Sequence, residues 1–213
     1  MRPTAAAARP AARAARDRPA TEARILAAVG TVLARDGFGR VGINAIAKQA
    51  GVDKVLIYRY FGGLPELLST WGRSGRFWPR IDDLLGDAPE AFLALPLLER
   101  YVRFFDHFVD AMRERPLTIE ILAAEIAERN DLTAVLESER EAWGEAASRL
   151  VGGAEFAARP ELRGVTILLV SGVQYLLVRS RTIRVFGGVD IKTDAGWAEL
   201  KAAIRALAAS LLR

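Results

Sequence analysis

Apolar residues recur at helical spacing along most of this 213-residue chain, which predicts an all-α fold. Gly37 ends an amphipathic helix near the N-terminus in which five apolar residues share one stripe: Ile25, Ala28, Val29, Val32 and Leu33. A longer helix is predicted from Leu97 to Met112, with apolar and aromatic residues on one face and charged residues opposite. Arg115-Pro116 breaks it, and the next helix has three inward residues: Ile119, Leu122 and Ile126.

The following helix is predicted to be capped by Asn130-Asp131 and ended by Gly152-Gly153. Its apolar stripe contains Leu132, Val135, Leu136, Trp143, Ala147 and Leu150. A nearly continuous apolar helix over residues 165–183 comes next. A turn-rich linker with Gly187-Gly188 then leads to a final helix, for which Asp194 is the predicted cap.

The segment from Gly42 to Phe61 contains the pattern of two short helices joined at a tight turn, a helix-turn-helix. Ile46 and Ala47 lie on the inner face of the first helix, and Ala47 is small because the second helix crosses close to it. Gly51 can adopt the left-handed conformation that ends a helix without a Cβ penalty. The second helix repeats its inner residues at helical spacing: Ile57, Tyr60 and Phe61.

The outward face of the second helix suits the major groove of DNA. It presents two cations, an aromatic hydroxyl and two aliphatic side chains: Lys54, Val55, Leu56, Tyr58 and Arg59. Because cations read guanine and apolar groups contact the thymine methyl, these five residues are the predicted base contacts. Asn44 is expected to add a base or phosphate contact, and Lys48 and Tyr60 to contact the DNA backbone.

Residues 21–68 resemble the DNA-binding domain of the TetR family of bacterial transcriptional regulators. The resemblance is carried by Ile25, Leu26, Ala28, Gly37-Phe38, Ile46-Ala47, Ala50-Gly51-Val52, Tyr58, Tyr60-Phe61 and Leu67. It implies an N-terminal three-helix helix-turn-helix domain over residues 21–68, followed by a helical ligand-binding and dimerisation domain over 69–213. It further implies a homodimeric repressor that binds a palindromic operator in double-stranded DNA and responds to a small-molecule effector.

Two positions depart from that family's pattern. Gly42 stands where members usually carry Thr or Ser, and Leu64 where Lys is common. Gly42 can still cap its helix, although it offers no hydroxyl to a phosphate. Leu64 removes an expected cation, so a phosphate contact at the next helix would depend on free amides, with Gly63 as cap and Glu66 closing a capping box.

The last two long helices are predicted to form a dimer interface. Residues 165–183 are apolar nearly all round at their centre, so an isolated subunit would leave part of this helix in water. The final helix carries a packing seam: Trp197, Leu200, Ile204, Leu207 and Leu211. In the TetR resemblance these helices form a four-helix bundle with their copies in a second subunit. The alternative is a helical hairpin within one chain.

The middle helices contain enough aromatic and soft apolar surface to line a cavity for an unidentified small molecule. The candidate ligand contacts are Tyr101, Phe104, Phe105, Phe108, Met112, Trp143 and Tyr175, and each can equally be plain core. His107, the only histidine, lies on the polar face and is not expected to bind a metal. Three acidic residues fit a solvated helix face: Glu120, Glu125 and Glu128. No nucleophile or phosphate loop accompanies them, so neither enzymatic activity nor a cofactor is expected.

Positive charge is concentrated at the N-terminal end. Residues 1–20 hold five arginines and one aspartate, a net charge of +4, whereas residues 21–70 carry +2 and residues 71–213 carry −2. This asymmetry favours a polyanionic partner and predicts salt-sensitive binding. Residues 1–20 are expected to form a disordered basic tail, which either contacts DNA or is a solvated leader.

The chain contains no cysteine, which excludes disulfides and thiolate metal sites and fits a cytoplasmic protein. The N-terminus has no apolar run typical of a secretory signal. The longest apolar run, residues 165–178, has 14 residues, which is too short to span a bilayer, so no membrane partner is expected.

Two functions from different classes account for these patterns. The first is a ligand-responsive DNA-binding repressor. The alternative is a helical small-molecule-binding or interaction protein without sequence-specific DNA function, which Leu64 and the modest charge of residues 21–70 favour. Lys54 and Arg59 favour the regulator, because a protein without a DNA function is expected to carry anions or neutral residues on that face.

Overall fold

The computed structural model describes residues 9–127 and 131–212, and in that part of the chain it contains eleven α-helices and one two-stranded β-hairpin. The helices are α1 (Arg9–Asp36), α2 (Ile43–Ala50), α3 (Lys54–Phe61), α4 (Leu64–Trp71), α5 (Ile81–Leu85), α6 (Pro89–Leu93), α7 (Leu97–Arg113), α8 (Pro116–Ala127), α9 (Asp131–Ala158), α10 (Pro160–Arg179) and α11 (Asp194–Leu211). A short 3-10 turn spans Phe38–Arg40, and a π turn spans Gly72–Arg76.

The all-α prediction is confirmed, with a small β-hairpin as the one exception that the sequence analysis missed. Strand β1 (Val185–Phe186) pairs antiparallel with β2 (Val189–Asp190). The two residues of the turn, Gly187 and Gly188, have φ values of 59° and 90°. Positive φ at both positions is typical of the tightest hairpin turns and is easily adopted by glycine.

The described residues divide into two compact units between Trp71 and Gly72. In the first unit, α1 packs against α2 and α4, and α3 packs against α2 and α4. Its core is formed by fully buried side chains: Ile25, Val29, Val32, Ile46, Ile57, Leu67 and Leu68. Helix α1 begins at Arg9, within the segment that the sequence analysis expected to be a disordered tail. Residues 1–8 lie outside the described residues, and for them the expectation stays a prediction.

The second unit is built around α7, which packs against α5, α8, α9, α10 and α11. The predicted apolar face of α7 is confirmed, since its aromatic residues and Met112 are buried. His107 lies at the edge of this face, and its Nδ1 is 2.7 Å from the carbonyl oxygen of Leu84. The only histidine of the chain is therefore used to hold the end of α5 against α7.

Helix α11 is tied to α7 of the same chain by charge and by packing. Ion pairs join Asp110 to Lys201 at 2.6 Å and Asp106 to Arg205 at 3.0 Å. Trp197 and Ile204, two residues of the predicted dimer seam, are buried in this subunit, whereas Leu207 is half exposed. The prediction that all five seam residues form one dimer interface is therefore wrong, because they divide between the core of the single chain and the outer face of α11.

Two smaller expectations need correction, and a third is confirmed. Ile126 is 72% exposed rather than inward. Thr193, not Asp194, caps α11, since its hydroxyl accepts a hydrogen bond from the Gly196 N–H at 3.2 Å. The predicted helix end at Gly152-Gly153 is confirmed as a break within α9, since Gly153 has non-helical φ and ψ values of 54° and −138°, and a second helical segment continues from there to Ala158. The predicted cap residue Asn130 lies outside the described residues.

Candidate DNA interface and ligand cavity

The turn between α2 and α3 has the geometry that its sequence predicts. Gly42 caps α2 in an extended conformation without a side-chain bond, and Gly51 ends it with φ 64° and ψ 41° in the left-handed region. The Val52 N–H donates to the carbonyl oxygen of Ala47 at 3.1 Å, which closes the turn. Asp53 caps α3 by accepting a hydrogen bond from the Val55 N–H at 2.8 Å.

These caps fix which side chains of α3 point outward. Ile57 is fully buried against the core, whereas Val55 is 60% and Tyr58 is 54% exposed. Lys54 and Arg59 are also exposed, so two cations and two large side chains form one continuous outer face. Large exposed side chains in such a group indicate a surface that binds a partner.

The remaining predicted DNA contacts lie at the edges of this face. Asn44 and Lys48 are exposed on α2, whereas Leu56 and Tyr60 are half-buried on α3. The structure therefore brings the eight predicted residues onto α2 and α3, with six of them exposed. Their roles in DNA binding stay a prediction.

Arg18 belongs to the basic segment that the sequence suggested as a possible DNA contact, and the structure places it beside Tyr60 of α3. Its guanidinium lies over the ring of Tyr60, with 4.9 Å between the guanidinium carbon and the ring centroid, and Arg59 lies over the same ring at 5.0 Å. Glu22 orients Arg18 through an ion pair of 2.7 Å on α1. No local sequence signal indicates this contact, because it depends on how α1 packs relative to α3.

The start of α4 carries Leu64 and, two residues further on, the acidic Glu66. Gly63 is buried and its carbonyl oxygen accepts from the Leu67 N–H at 3.1 Å. A Cβ atom at position 63 would lie 3.1 Å from Oε2 of Glu66, so the Glu66 carboxylate folds back over the first turn. This carboxylate competes with any phosphate for the amides at the start of α4.

In the second unit, helices α7, α8, α9 and α10 line a cavity of about 1160 Å³. Six of the seven predicted ligand contacts lie on its wall: Tyr101, Phe104, Phe105, Phe108, Trp143 and Tyr175. Met112 does not line it, because this side chain is completely buried in the core. Trp78 and Phe156 also line the cavity, although neither was predicted from the sequence. Whether these residues contact a ligand stays a prediction.

Part of the cavity wall is formed by aromatic rings that contact one another. The ring of Trp143 lies 5.6 Å from that of Trp78 in an edge-on arrangement, 5.8 Å from Phe108 and 6.2 Å from Phe104, measured between centroids. The Trp143 indole N–H donates to the carbonyl oxygen of Pro79 at 2.7 Å, which fixes its orientation. An apolar or aromatic ligand would therefore meet preformed ring surfaces.

A charged cluster forms another part of the cavity wall. Glu125 pairs with Arg140, and this corrects the expectation that Glu125 lies on a solvated face. Burial raises the pKa of Glu125, although Arg140 opposes the shift. Glu120 lies outside the cavity, where it pairs with Arg181 at 2.6 Å. Glu128 lies outside the described residues.

Within residues 9–127 and 131–212, no group of three or more acidic, histidine or cysteine side chains is arranged to hold a metal ion. One helix of the described chain, α10, is long and apolar enough by length and composition to cross a membrane.

Comparison with known proteins first identifies the DNA-binding segment. Residues 25–69 match the family model described as bacterial regulatory proteins of the tetR family. A stretch of 57 residues is 44% identical to the HTH-type transcriptional repressor SCO4008 of Streptomyces coelicolor, and it covers 27% of this chain and 30% of that protein. The match to this curated relative thus spans about a third of its length.

Solved structures resemble nearly the whole chain. A TetR-like transcriptional regulator from Rhodococcus sp. RHA1 has a TM-score of 0.56 at 22% identity, with 88% of this chain and 96% of that chain covered. The fatty acid degradation regulator FadR from Bacillus halodurans has a TM-score of 0.63 at 19% identity, with coverage of 91% and 96%. At these identities the likeness establishes the fold, and it confirms the predicted order of a helix-turn-helix domain followed by a helical domain.

Proposed function

Because the N-terminal domain of this chain belongs to the TetR family of bacterial regulatory proteins, we propose that the chain is a homodimeric transcriptional repressor. It binds a palindromic operator in double-stranded DNA through α2 and α3. A small molecule in the cavity of the second unit changes its affinity for the operator. This role requires the protein to work in the cytoplasm, where the DNA is.

The outer face of α3 is the observation that carries the proposal. Its exposed cations, Lys54 and Arg59, supply charge-assisted hydrogen bonds to guanine and phosphate. Val55 and Tyr58, both more than half exposed, offer contacts to thymine methyl groups and to the sugar-phosphate backbone. A helix of eight residues with this face fits a major groove that is about 12 Å wide.

Exposed apolar surface on α10 supports the homodimer. Leu168 is 73% exposed in the single chain, and it does not line the cavity. Gly164 and Gly172 lie on the same exposed side, and no heavy atom would lie within 4 Å of a Cβ at either position. Helix α11 also carries small exposed residues: Ala198, Ala202 and Ala206. A second copy of these two helices can approach closely and cover this surface, which accounts for the apolar character of α10 without a membrane.

Dimerisation explains how a ligand would control DNA binding. Two recognition helices related by a twofold axis read half-sites that lie about one helical turn apart, roughly 34 to 36 Å. A ligand that favours a different separation or mobility of the two recognition helices lowers the affinity for the operator. The loss equals the coupling free energy between the ligand site and the DNA-binding site. The cavity of about 1160 Å³ is large enough for such a ligand.

The proposal is tested by selection of genomic fragments with the purified full chain at near-physiological salt, followed by footprinting of the retained DNA. We expect a short palindrome protected on both half-sites. Lys54→Ala should weaken binding to that site by about 1 to 3 kcal/mol and relax its sequence choice, whereas Arg103→Ala, an exposed cation on α7, serves as the matched control. Retention of DNA without sequence choice, equal for wild type and Lys54→Ala, would contradict the proposed function.

A further inference from the structure

Arg59 extends from the outer face of α3, but its guanidinium group is turned toward the neighbouring residue. Its Cα lies one helical turn after that of Val55, on the exposed side of the helix. The Arg59 guanidinium carbon is nevertheless 5.0 Å from the ring centroid of Tyr60, and Nη2 donates a hydrogen bond to the Tyr60 hydroxyl at 3.1 Å. Two contacts thus hold this cation over Tyr60, at one edge of the outer face.

A second cation, from α1, reaches the same ring. The guanidinium carbon of Arg18 is 4.9 Å from the Tyr60 centroid, and Glu22 holds Arg18 through an ion pair of 2.7 Å. In the part of the chain that the structure describes, no acidic side chain pairs with Arg59. Two like charges therefore lie close together with Glu22 to offset one of them, and a bound phosphate oxygen would relieve their repulsion.

Lys54 lies at the opposite end of α3 and is not held in this way. It is the first residue of the helix, and among residues 9–127 and 131–212 its ammonium group has no hydrogen-bond or ion-pair partner. The next residue, Val55, is 60% exposed. In a helix-turn-helix the N-terminal residues of the recognition helix contact base edges. Lys54 can therefore reach a base without giving up a contact, whereas Arg59, in the last turn, would give up two.

We propose that the two exposed cations of α3 perform different tasks. Lys54 reads a guanine in the major groove, and Arg59 binds the DNA backbone together with Arg18, both oriented by Tyr60. Tyr60 is a positioning residue, because it acts through the two guanidinium groups. The inference rests on the proposed function and assigns separate roles within its DNA interface, whereas the sequence alone predicted base contacts for both cations. Each half-site should then contain a guanine opposite Lys54 next to a thymine whose methyl group meets Val55.

The test is a second selection, from a library in which every position of the footprinted operator is randomised, with wild type, Lys54→Ala and Arg59→Ala in parallel. We expect Lys54→Ala to lose the preference for one guanine in each half-site, because the side chain that pairs with it is absent. Arg59→Ala should select the same bases as wild type at every position, since a backbone contact carries no sequence information. Arg103→Ala, which removes an exposed cation of α7, is the control for loss of a positive charge.

Affinity and salt dependence separate a phosphate contact from a base contact in the same variants. Fluorescence anisotropy should show that Arg59→Ala weakens binding to operator and to random duplex by the same factor, about tenfold. The slope of log K against log salt for this variant should be smaller in magnitude than that of wild type by about 0.9.

Tyr60→Phe tests the positioning role, because it removes the hydroxyl that accepts from Arg59 and keeps the ring. The variant should bind both DNAs about threefold more weakly than wild type, with unchanged base preferences. In the Arg59→Ala background the same substitution should cause no further loss, whereas a merely structural role would give an equal loss in both backgrounds. Circular dichroism verifies the fold of each variant.

Three results would overturn the inference and leave the proposed function standing: a changed base preference for Arg59→Ala, a wild-type salt slope for that variant, or an equal loss from Tyr60→Phe in both backgrounds. Wild-type base preferences for Lys54→Ala would overturn it as well. A wild-type chain that selects no sequence contradicts the proposed function, and the role assigned to Lys54 fails with it.

Discussion

Arg18 on α1 and Tyr60 on α3 are in cation-π contact, with the guanidinium carbon 4.9 Å from the ring centroid. Arg59 lies over the same ring at 5.0 Å and donates from Nη2 to the Tyr60 hydroxyl at 3.1 Å. Tyr60 is therefore a half-buried platform that positions two guanidinium groups beside the outer face of α3. Residues before Thr21, the predicted start of the domain, thus belong to the candidate DNA interface.

Arg18→Ala should weaken binding to operator and to random duplex by similar factors, because a phosphate contact adds affinity but no sequence choice. The slope of log K against log salt should fall in magnitude by about 0.9, which corresponds to one lost phosphate contact. Fluorescence anisotropy at several salt concentrations measures both quantities. A salt slope identical to that of wild type would contradict a phosphate contact, and Arg103→Ala again provides the control.

The difference between Arg18 and the turn residues shows what the sequence could predict. The helix-turn-helix follows from short-range chemistry, since Gly51 and Asp53 act within a few residues of themselves. Arg18 and Tyr60 are 42 positions apart in the sequence, and only the packing of α1 on its neighbours brings them together. The sequence pattern alone assigned Arg18 to the basic tail of residues 1–20.

The cavity likewise combines features that the sequence predicts with contacts that depend on the packing of distant helices. Helical periodicity correctly located the aromatic face of α7, but it could not show which part of that face meets another helix and which part meets a void. Met112 is therefore core, whereas Phe104 lines the cavity. Glu125 was assigned to a solvated face because its own helix is amphipathic in pattern. The structure places it against Arg140 of α9, a contact that no pattern within α8 could reveal.

Leu64→Lys should strengthen DNA binding, because it returns a cation to the start of α4, where Glu66 now supplies only negative charge. The gain should be nearly independent of sequence, with a salt slope about 0.9 larger in magnitude than that of wild type. Anisotropy with random duplex detects the change. Leu64→Gln, which adds polarity without charge, is the control. Equal affinity of both variants would mean that no phosphate approaches this terminus.

Leu168→Glu should convert a dimer into monomers. The side chain is 73% exposed in the single chain, so the substitution does not disturb the fold of one subunit, but it would bury a charge in the proposed interface. Sedimentation velocity gives the oligomeric state, and operator binding should be lost together with the dimer. Ala91→Glu, at an exposed position of α6, should remain dimeric. A dimeric Leu168→Glu variant would exclude this face of α10 as the interface.

Gly196→Ala should destabilise the second unit by several kcal/mol, at the upper end of single substitutions. A Cβ at this position would lie 2.0 Å from the carbonyl oxygen of Asp190, so backbone must move. The start of α11 and strand β2 would then separate. Gly144→Ala is the matched control inside α9, where a Cβ meets no atom within 4 Å, and it should stabilise by up to about 1 kcal/mol. Chemical denaturation of both variants measures the difference.

Glu125 should make the folded chain less stable as pH rises above the ordinary glutamate value of 4.5. Burial raises its pKa in the folded state, so the folded chain binds more protons than the unfolded chain between the two pKa values, and the free energy of unfolding falls with increasing pH in that window. Relative to Glu125→Gln, wild type should therefore lose stability from about pH 4.5 upward.

Asp36 provides a contrast of opposite sign, because its hydrogen bond from Arg35 lowers its pKa below 3.8. Relative to Asp36→Asn, wild type should gain stability as the pH rises through the range just below 3.8. Urea denaturation at closely spaced pH values measures both trends, and a pH-independent difference between wild type and Glu125→Gln would show that this carboxyl is not perturbed by burial.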